Sequence, residues 1–202
     1  MCVVPAFAAA KVNVNTSKYF TLKNVGSGKY LNIYGNQNRN NVNVDVYAKD
    51  GTSGQDFKFT RIDSGKNSYT LTPRCATGRR VNVYGDSAKN KSNVCLWSRT
   101  NHSTQCWIPE AVSGGYILRC ANNTNYVLTA TGSRNSSNVN IQKYSAGNKY
   151  QIWTCSAFST TTAGTTATPA ASTSTAISPA AVKQQIKSTY QTAFRMRGKS
   201  FN

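Results

Sequence analysis

The stretch Gly28–Phe59, GKYLNIYGNQNRNNVNVDVYAKDGTSGQDFKF, decides the fold, because its pattern occurs three times. Residues 78–109, GRRVNVYGDSAKNKSNVCLWSRTNHSTQCWIP, repeat the order, and residues 125–155, NYVLTATGSRNSSNVNIQKYSAGNKYQIWTC, repeat it more weakly. We call these segments copies one, two and three. A glycine follows the first run of each copy, at 35, 85 and 132, and a glutamine opens the last run, at 55, 105 and 151. Both landmarks give a similar period, which marks a repeat protein.

Apolar and polar residues alternate within each copy, which predicts half-buried β-strands rather than helices. In copy one the apolar positions are Leu31, Ile33, Val42, Val44, Val46, Phe57 and Phe59. Clusters of Gly, Asn and Ser between the runs favour turns. The preceding runs YFTLK, YTLTP and YILRC add one strand to each copy, which gives about twelve. One copy could not bury its own apolar face, so we predict an all-β fold, a β-trefoil of three repeats over residues 11–158.

The repeated order YLNIYG, NVNVDVY and GQDFKF resembles the ricin-type (R-type) β-trefoil lectins, a family of carbohydrate-binding modules with a Gln-x-Trp signature in each repeat. The resemblance covers about 140 of the 202 residues. It implies the trefoil fold and, as an expectation, glycan binding. The resemblance is less specific for activity, because one fold hosts many functions. For the closing motif itself, at Gln55, Gln105 and Gln151, we favour core packing and turn hydrogen bonding as the first role.

In that family a competent repeat offers a carboxylate or amide from the second strand, an aromatic platform from the third, and an amide near Gln-x-Trp. Such a set suits a pyranose, which presents hydroxyls and an apolar C–H face. Matching by position gives candidate carbohydrate-binding residues in all three copies: Asn82, Trp97, His102 and Gln105 in copy two; Asn32, Asp45, Tyr47 and Gln55 in copy one; Tyr144 and Gln151 in copy three. Copy two ranks first and copy three is expected to be degenerate, with Thr129 as its second-strand residue.

The aromatic platform is matched by aligning the Asn-Val runs of the three copies. This places Asp45 and Gln142 at the position of Trp97, with Tyr47 and Tyr144 two residues further on. The alternative is that Trp97 and the tyrosines are packing or surface aromatics. Three possible sites on one scaffold would still add by avidity if the ligand is polymeric.

The net charge of the chain narrows the classes of ligand that we expect. The chain carries 24 Lys and Arg against six Asp and Glu, and 19 of the bases and all six acids lie in residues 11–158. A net charge of +13 attracts anionic polymers in a salt-dependent way. Arg79, Arg80, Lys89 and Lys91 bracket copy two, which favours an acidic, sulfated or cell-wall glycan. The alternative is a polyanion binder that is indifferent to sugar identity and takes an anionic cell-wall polymer, a sulfated glycan or nucleic acid. Nucleic acid is the least favoured of these, because no usual nucleic-acid-binding motif occurs.

The N-terminal residues 1–10, MCVVPAFAAA, end in Ala-x-Ala patterns that resemble a signal-peptide cleavage site, so we expect a secreted, extracellular protein. No run approaches the length of apolar sequence needed to cross a membrane. Five cysteines follow, and in an exported chain they suggest disulfides. We predict Cys106 opposite Cys120 on a hairpin, with Cys75 and Cys95 joined within copy two.

Catalysis is not expected, because the chain has a single His, His102, and a single Glu, Glu110. A glycosidase would need its acid and base from aspartates in loops or strand ends. No Cys-x-x-Cys pair occurs, and one His does not complete a usual metal site, so we expect no metal and no cofactor.

Residues 159–178 are rich in Thr, Ser and Ala and predict a flexible linker. Residues 179–202 place Val182, Ile186, Tyr190 and Phe194 four apart, flanked by five bases. Two interpretations stay open: a basic amphipathic helix for a surface, or the start of a second domain, which we favour because so short a lone helix would be marginal. The linker then suggests that the lectin-like module targets an attached partner to glycans.

Overall fold

A computed structural model describes residues 12–160, apart from 86 and 101, as an all-β domain. Fifteen strands are present in these residues, several of them only two or three residues long. They are β1 Val12–Val14, β2 Tyr19–Phe20, β3 Lys23–Asn24, β4 Tyr30–Ile33, β5 Val44–Tyr47, β6 Phe57–Asp63, β7 Ser68–Pro73, β8 Arg79–Val83, β9 Val94–Ser98, β10 Trp107–Val112, β11 Gly115–Cys120, β12 Tyr126–Ala130, β13 Ser137–Lys143, β14 Trp153–Thr154 and β15 Phe158–Thr160. Five 3-10 turns separate some of them, at Tyr34–Asn36, Ser53–Gln55, Arg74–Ala76, Ser103–Gln105 and Lys149–Gln151.

The strands confirm the predicted β-trefoil. An eleven-stranded sheet runs in the order β12-β13-β5-β4-β3-β14-β11-β10-β7-β6-β2, and β8–β9 and β1–β15 form two further antiparallel pairs. The hairpins β4–β5, β8–β9 and β12–β13 are the same hairpin in three copies, because Asn32 pairs with Asp45, Asn82 with Cys95 and Thr129 with Asn140. Gly35, Gly85 and Gly132 each stand two residues beyond the first strand of the hairpin, as the landmarks require.

The core lies on the inner faces of these strands. The apolar positions that alternation selected in copy one are all buried, from Leu31 at 0% to Val42 at 2% exposed. The aromatic residues of the three closing motifs, Phe57, Trp107 and Trp153, are each fully buried. Each indole also donates to a backbone carbonyl, Trp107 Nε1 to Val81 O at 3.2 Å and Trp153 Nε1 to Leu128 O at 3.0 Å. These rings therefore join the closing strand of a copy to the opening strand of its hairpin.

Backbone hydrogen bonds between neighbouring copies close the domain into a ring, and one of these bonds recurs at all three junctions. Asn41 N donates to Leu96 O, Lys91 N to Ile141 O, and Ser136 N to Val46 O, all between 2.7 and 3.0 Å. Each link runs from one copy to the next, and the third returns to the first. All three donor residues have positive φ, from 61° to 67°, the left-handed conformation that side chains other than Asn and Asp seldom adopt.

A side-chain bond supports each of these links. The residue before each left-handed residue is an asparagine, and its Oδ1 accepts a backbone N–H from the next copy. Asn40 accepts from Ser98 N at 2.8 Å, Asn90 from Lys143 N at 3.3 Å and Asn135 from Ala48 N at 3.0 Å. We call Asn40, Asn90 and Asn135 the closure asparagines.

The chain ends of the described domain meet. Strand β1 pairs antiparallel with β15, with Val12 opposite Thr160 and Val14 opposite Phe158. Residues 159 and 160, placed in the linker by composition, thus form part of this strand pair. The rest of the predicted linker, the predicted C-terminal helix at 179–202 and the predicted signal remnant at 1–10 lie outside the described residues. No helix among the described residues is long and apolar enough to span a membrane.

The predicted disulfide pairing is wrong within the described domain. Strands β10 and β11 do form the expected hairpin, but Trp107 stands opposite Cys120 and Val112 opposite Gly115. The turn therefore has two residues, and Cys106 is one position out of register with Cys120; its carbonyl accepts from Ala121 N at 2.8 Å. Adjacent residues of a strand point to opposite faces, so the two thiols do not meet across the hairpin.

The second predicted pair, Cys75 with Cys95, is absent as well. Cys75 lies in the 3-10 turn Arg74–Ala76, whereas the thiol of Cys95 is directed towards the side chain of Asn82 across the β8–β9 hairpin. Burial raises the pKa of Cys95 to about 11 and that of Cys155 also to about 11, which keeps both as neutral thiols. All five described cysteines, Cys75, Cys95, Cys106, Cys120 and Cys155, are free.

Candidate functional site

The outer face of the copy-two hairpin carries an open cleft of about 490 Å³. Strand β8 supplies Asn82, β9 supplies Trp97, and the loop with the 3-10 turn Ser103–Gln105 supplies His102 and Thr104. Asn82 and Trp97 share this face because alternation sends their neighbours, Val81 and Leu96, into the core. The four copy-two residues selected from sequence, with Gln105 as the fourth, therefore line one cleft.

Two aromatic rings form the exposed wall of the cleft. Trp97 is 36% exposed and Tyr84 is 54% exposed, and their centroids are 6.4 Å apart with the planes at 78°. An exposed, supported indole face is the kind of surface on which the C–H face of a sugar packs. Sequence reasoning missed Tyr84 as a site residue, although the Tyr-Gly pair recurs in copy one as Tyr34-Gly35 and could have indicated it.

A hydrogen-bonded chain of side chains forms the polar wall. Thr104 Oγ1 donates to Asn82 Oδ1 at 3.1 Å, and Thr104 Oγ1 lies 2.8 Å from His102 Nδ1. Asn82 Nδ2 donates to the carbonyl of Val83 at 2.8 Å. His102 is exposed, and because its Nδ1 faces Thr104, its Nε2 is the ring nitrogen left for a ligand. Thr104, which directly precedes Gln105, is not among the predicted carbohydrate-binding residues, yet its hydroxyl joins Asn82 to His102.

The three glutamines of the closing motifs fasten loops. Gln105 Oε1 accepts from Thr100 N at 3.0 Å and its Nε2 donates to Ser98 O at 2.9 Å. Gln55 makes the equivalent bonds to Asp50 N and Ala48 O, and Gln151 to Ser145 N and Lys143 O. Each side chain is about 1% exposed, so both ends of the amide are used within the protein. Their direct effect is to hold the loop that borders each cleft.

Copy one carries a second cleft, of about 560 Å³, lined by Asn32, Asp45 and Tyr47 from the predicted set and by Tyr34 and Asp50 in addition. Asn32 Nδ2 donates to Asp45 Oδ1 at 2.7 Å. The second carboxylate oxygen, Oδ2, is buried and has no partner among the described residues. Burial raises the pKa of Asp45, and the bond from Asn32 offsets part of that rise.

Copy three brings its predicted residues together less well. Thr129 is buried and its hydroxyl donates to Val127 O at 2.8 Å. Gln142 stands where copy two has Trp97, and its amide is bonded to Asn140 Oδ1 at 3.1 Å. Tyr144 lies beside Arg119, whose guanidinium is 5.0 Å from the ring centre and also pairs with Glu110. Thr129, Gln142 and Tyr144 therefore do not place an exposed ring opposite an amide, as Trp97 and Asn82 do in copy two.

The pairing register corrects the predicted platform position. Trp97 pairs with Arg80 and Tyr47 with Tyr30, while Asp45 pairs with Asn32 as Cys95 does with Asn82. The residue equivalent to Trp97 in copy one is therefore Tyr47, and Asp45 is equivalent to Cys95. A shift of two residues keeps every side chain on its own face of a strand, so alternation alone could not expose the error.

Of the bases predicted to bracket copy two, Arg80 lies beside the copy-two cleft. Arg80 Nη1 donates to Thr100 O at 2.7 Å, beside the cleft, and Arg79 is bonded to Asn38, Asn40 and Ser98. Lys91 is placed by its backbone at the boundary with copy three. Within the described part of the chain no group of three or more His, Cys, Asp or Glu is arranged to hold a metal ion.

The sequence and the fold of this chain are similar to those of known proteins. Residues 8–97 match the model of the family described as ricin-type beta-trefoil lectin domain-like. Among solved structures, the designed threefold-symmetric protein ThreeFoil is 25% identical in sequence and superposes with a TM-score of 0.62. The match covers 68% of this chain and 96% of the ThreeFoil chain. The Rhizoctonia solani agglutinin is 20% identical, with coverages of 78% and 100% and a TM-score of 0.60. The Macrolepiota procera ricin B-like lectin, in complex with lactose, is 18% identical, with coverages of 71% and 97% and a TM-score of 0.57. A comparison with curated protein sequences gave no match.

Proposed function

We propose that the β-trefoil of this chain, which is a ricin-type lectin-like domain, binds glycans through the copy-two cleft. The observation that carries the proposal is the exposed indole of Trp97 facing the Asn82–Thr104–His102 chain across a cleft of about 490 Å³. A pyranose has hydroxyls on its edge and C–H groups on its face, and the two walls match these two surfaces. The Macrolepiota procera lectin, of the same fold, is in complex with lactose.

The preferred ligand is a polymeric, acidic glycan. The domain carries 19 bases and six acids over residues 11–158, and Arg80 lies beside the cleft with one guanidinium nitrogen bonded to Thr100 O. Fixed positive charge next to a sugar-sized cleft favours a carboxylated or sulfated unit. Separate clefts on copies one and two support repeated engagement of one polymer.

We also propose that the domain is exported and brings an attached partner to its glycan. The support comes from sequence: the Ala-x-Ala pattern at residues 1–10 and the Thr, Ser and Ala composition of residues 159–178.

A glycan array probed with the full chain at low and at physiological salt tests the ligand class. Saturable binding to a few related glycans that survives physiological salt is the expected result. A polyanion binder that ignores sugar identity would bind every acidic spot at low salt and lose all of them at high salt, because its affinity comes from counterion release. That second pattern would overturn the lectin proposal.

The site itself is tested with Trp97→Ala. We expect affinity for the best array ligand to fall about tenfold or more, equivalent to about 1.4 kcal/mol. Trp97→Phe, which keeps a ring, should retain most of the affinity. Ile62→Ala removes a side chain of similar exposure, 47%, from another strand and should have no effect. Unchanged binding by Trp97→Ala in isothermal titration would exclude the copy-two cleft.

A further inference from the structure

The copy-one cleft has the opposite charge from the rest of the domain. Two of the six acidic residues, Asp45 and Asp50, line it, and no Lys, Arg or His is among its lining residues. The bases beside it point elsewhere: Arg39 Nε donates to Gln37 Oε1 at 2.7 Å, and Lys49 Nζ lies 5.7 Å from the ring centre of Tyr30. On a domain with three times as many bases as acids, this is a local acidic site.

The floor of the cleft holds a carboxylate that the protein satisfies on one side only. Asp45 is 0% exposed; Oδ1 accepts from Asn32 at 2.7 Å, and Oδ2 has no partner among the described residues. A buried ionised carboxylate without a compensating donor is costly. A ligand that brings a donor and a positive charge to this floor would remove that cost, whereas a neutral hydroxyl would supply the hydrogen bond alone.

The rim of the cleft is fixed and carries the second carboxylate. Asp50 Oδ1 accepts from Thr52 N at 2.9 Å, and Asp50 N donates to Gln55 Oε1 at 3.2 Å, so the closing-motif glutamine positions this residue. Tyr34, 52% exposed, and Tyr47 supply aromatic surface to the same cleft. Aromatic faces attract both the C–H face of a sugar and a nearby ammonium group.

We propose that the copy-one cleft binds an amino sugar with a free, protonated amine, held between Asp45 on its floor and Asp50 on its rim. This inference rests on the proposed glycan-binding function and assigns copy one a ligand class opposite to that of copy two. The chain then suits a glycan in which a deacetylated amino sugar occurs among acidic or neutral units. The overall positive charge opposes a uniformly cationic polymer, so the amine is recognised locally.

Nuclear magnetic resonance titration of the full chain with matched monosaccharides tests the proposal. The probes are the methyl glycosides of glucosamine and galactosamine and their N-acetyl forms, at a pH below the pKa of the free amine. The backbone amides of Tyr34 and Tyr47 report copy one, and the indole N–H of Trp97 reports copy two. We expect at least one free amine to bind copy one about tenfold more tightly than its N-acetyl form, equivalent to about 1.4 kcal/mol.

Charge-matched variants separate the site from the general field. Asp45→Asn keeps the shape of the floor and should abolish the preference for the amine. Asp50→Asn changes an exposed residue and should weaken the preference without affecting folding. Asp63→Asn removes the same charge from the β6–β7 hairpin and should change nothing.

Equal affinity for amine and N-acetyl forms, or a preference that survives both Asp45→Asn and Asp50→Asn, overturns the inference. N-acetyl or neutral sugars that still shift the Trp97 signal would then leave the proposed function standing. Failure of every sugar on the array and in the titration would instead overturn the proposed function, and this inference with it.

Discussion

Burial of the Asp45 carboxylate lowers the stability of the fold, whereas the proposed amine site needs that carboxylate. The Asp45 side chain is fully buried, and burial raises its pKa above the ordinary value of an aspartate. The folded chain therefore holds the proton more tightly than the unfolded chain does. It follows that ionisation of Asp45 lowers the stability of the folded state as the pH rises from the unfolded pKa through the raised folded one, and that the loss persists at higher pH.

Asp45→Asn is accordingly expected to stabilise the unliganded domain at neutral pH, because the amide replaces a buried charge with a neutral group of the same shape. The gain should shrink as the pH falls below the folded pKa of Asp45, since the wild-type residue is then neutral too. Urea unfolding of both proteins at about pH 3 and about pH 7 measures the two differences. Asp63→Asn is the control. A variant less stable than wild type at neutral pH would contradict the expectation.

The individual site residues differ in how well the sequence indicates them. Asn82, Trp97 and His102 follow from the resemblance of copy two to a ricin-type repeat, and they line one cleft. Tyr84 and Thr104 do not, because a tyrosine before a turn glycine and a threonine in a polar loop have many ordinary roles. The unpartnered Oδ2 of Asp45 is a three-dimensional property that no pattern of residue types encodes.

At the scale of single elements, the closing-motif glutamine decides how each loop is held. Gln105 is 1% exposed and joins Ser98 O to Thr100 N, which are two residues apart on the chain that leads into the cleft. Loss of the amide would leave a carbonyl and an N–H without partners in a largely buried place. An unsatisfied buried group of this kind costs about 1–3 kcal/mol.

Gln105→Ala should therefore lower the free energy of unfolding by about 1–3 kcal/mol and loosen the copy-two loop. Gln142→Ala is the matched control, because that amide is half-buried and bonded to one side chain, Asn140, and it should cost much less. Chemical denaturation gives both free energies, and hydrogen exchange at Thr100 N reports the loop. Equal losses of unfolding free energy in the two variants would show that Gln105 does not hold the loop in particular.

The repeat pattern predicts the strands and their buried faces, but it does not predict the pairing register of the strands. Alternation correctly assigns the buried faces, and the glycine and glutamine landmarks correctly define the three copies. The error at the platform, Asp45 in place of Tyr47, arose because a two-residue shift preserves alternation. A better signal was present: Asn-x-x-Asn-Val begins at 40, 90 and 135, and aligning it matches Tyr47 with Trp97. The Cys106–Cys120 error is different: it is a one-residue shift, which moves a side chain to the opposite face, and it arose because the pattern does not fix the turn length.

At the scale of the whole molecule, the same motif closes the trefoil. Each closure asparagine accepts a backbone N–H from the next copy, and the left-handed residue after it donates to a carbonyl of that copy. Three such links form a ring with no free end. Each copy is therefore held by both neighbours, and we expect the domain to unfold as one cooperative unit.

The ring predicts how substitutions of the closure asparagines combine. Asn90→Ala and Asn135→Ala each remove one side-chain bond between copies and should each cost about 0.5–1.5 kcal/mol. Asn40→Ala also removes the bonds from Ser98 Oγ and Arg79, so it should cost more than either. Asn123→Ala is the control for an amide that accepts only from its own turn, at Asn125 N. Calorimetry of the single and triple variants measures the losses, and the triple variant should still melt in one transition at a lower temperature.

Cooperative melting follows because a copy that detached alone would expose a core shared with the other two; Trp107 and Trp153, for example, are each fully buried. Replacing the three closure asparagines weakens the ring but leaves the backbone links of Asn41, Lys91 and Ser136 in place. A triple variant with two separate transitions would mean that one copy unfolds independently. The closure asparagines would then join otherwise autonomous repeats, and the avidity proposed for the clefts of copies one and two would depend on those three residues.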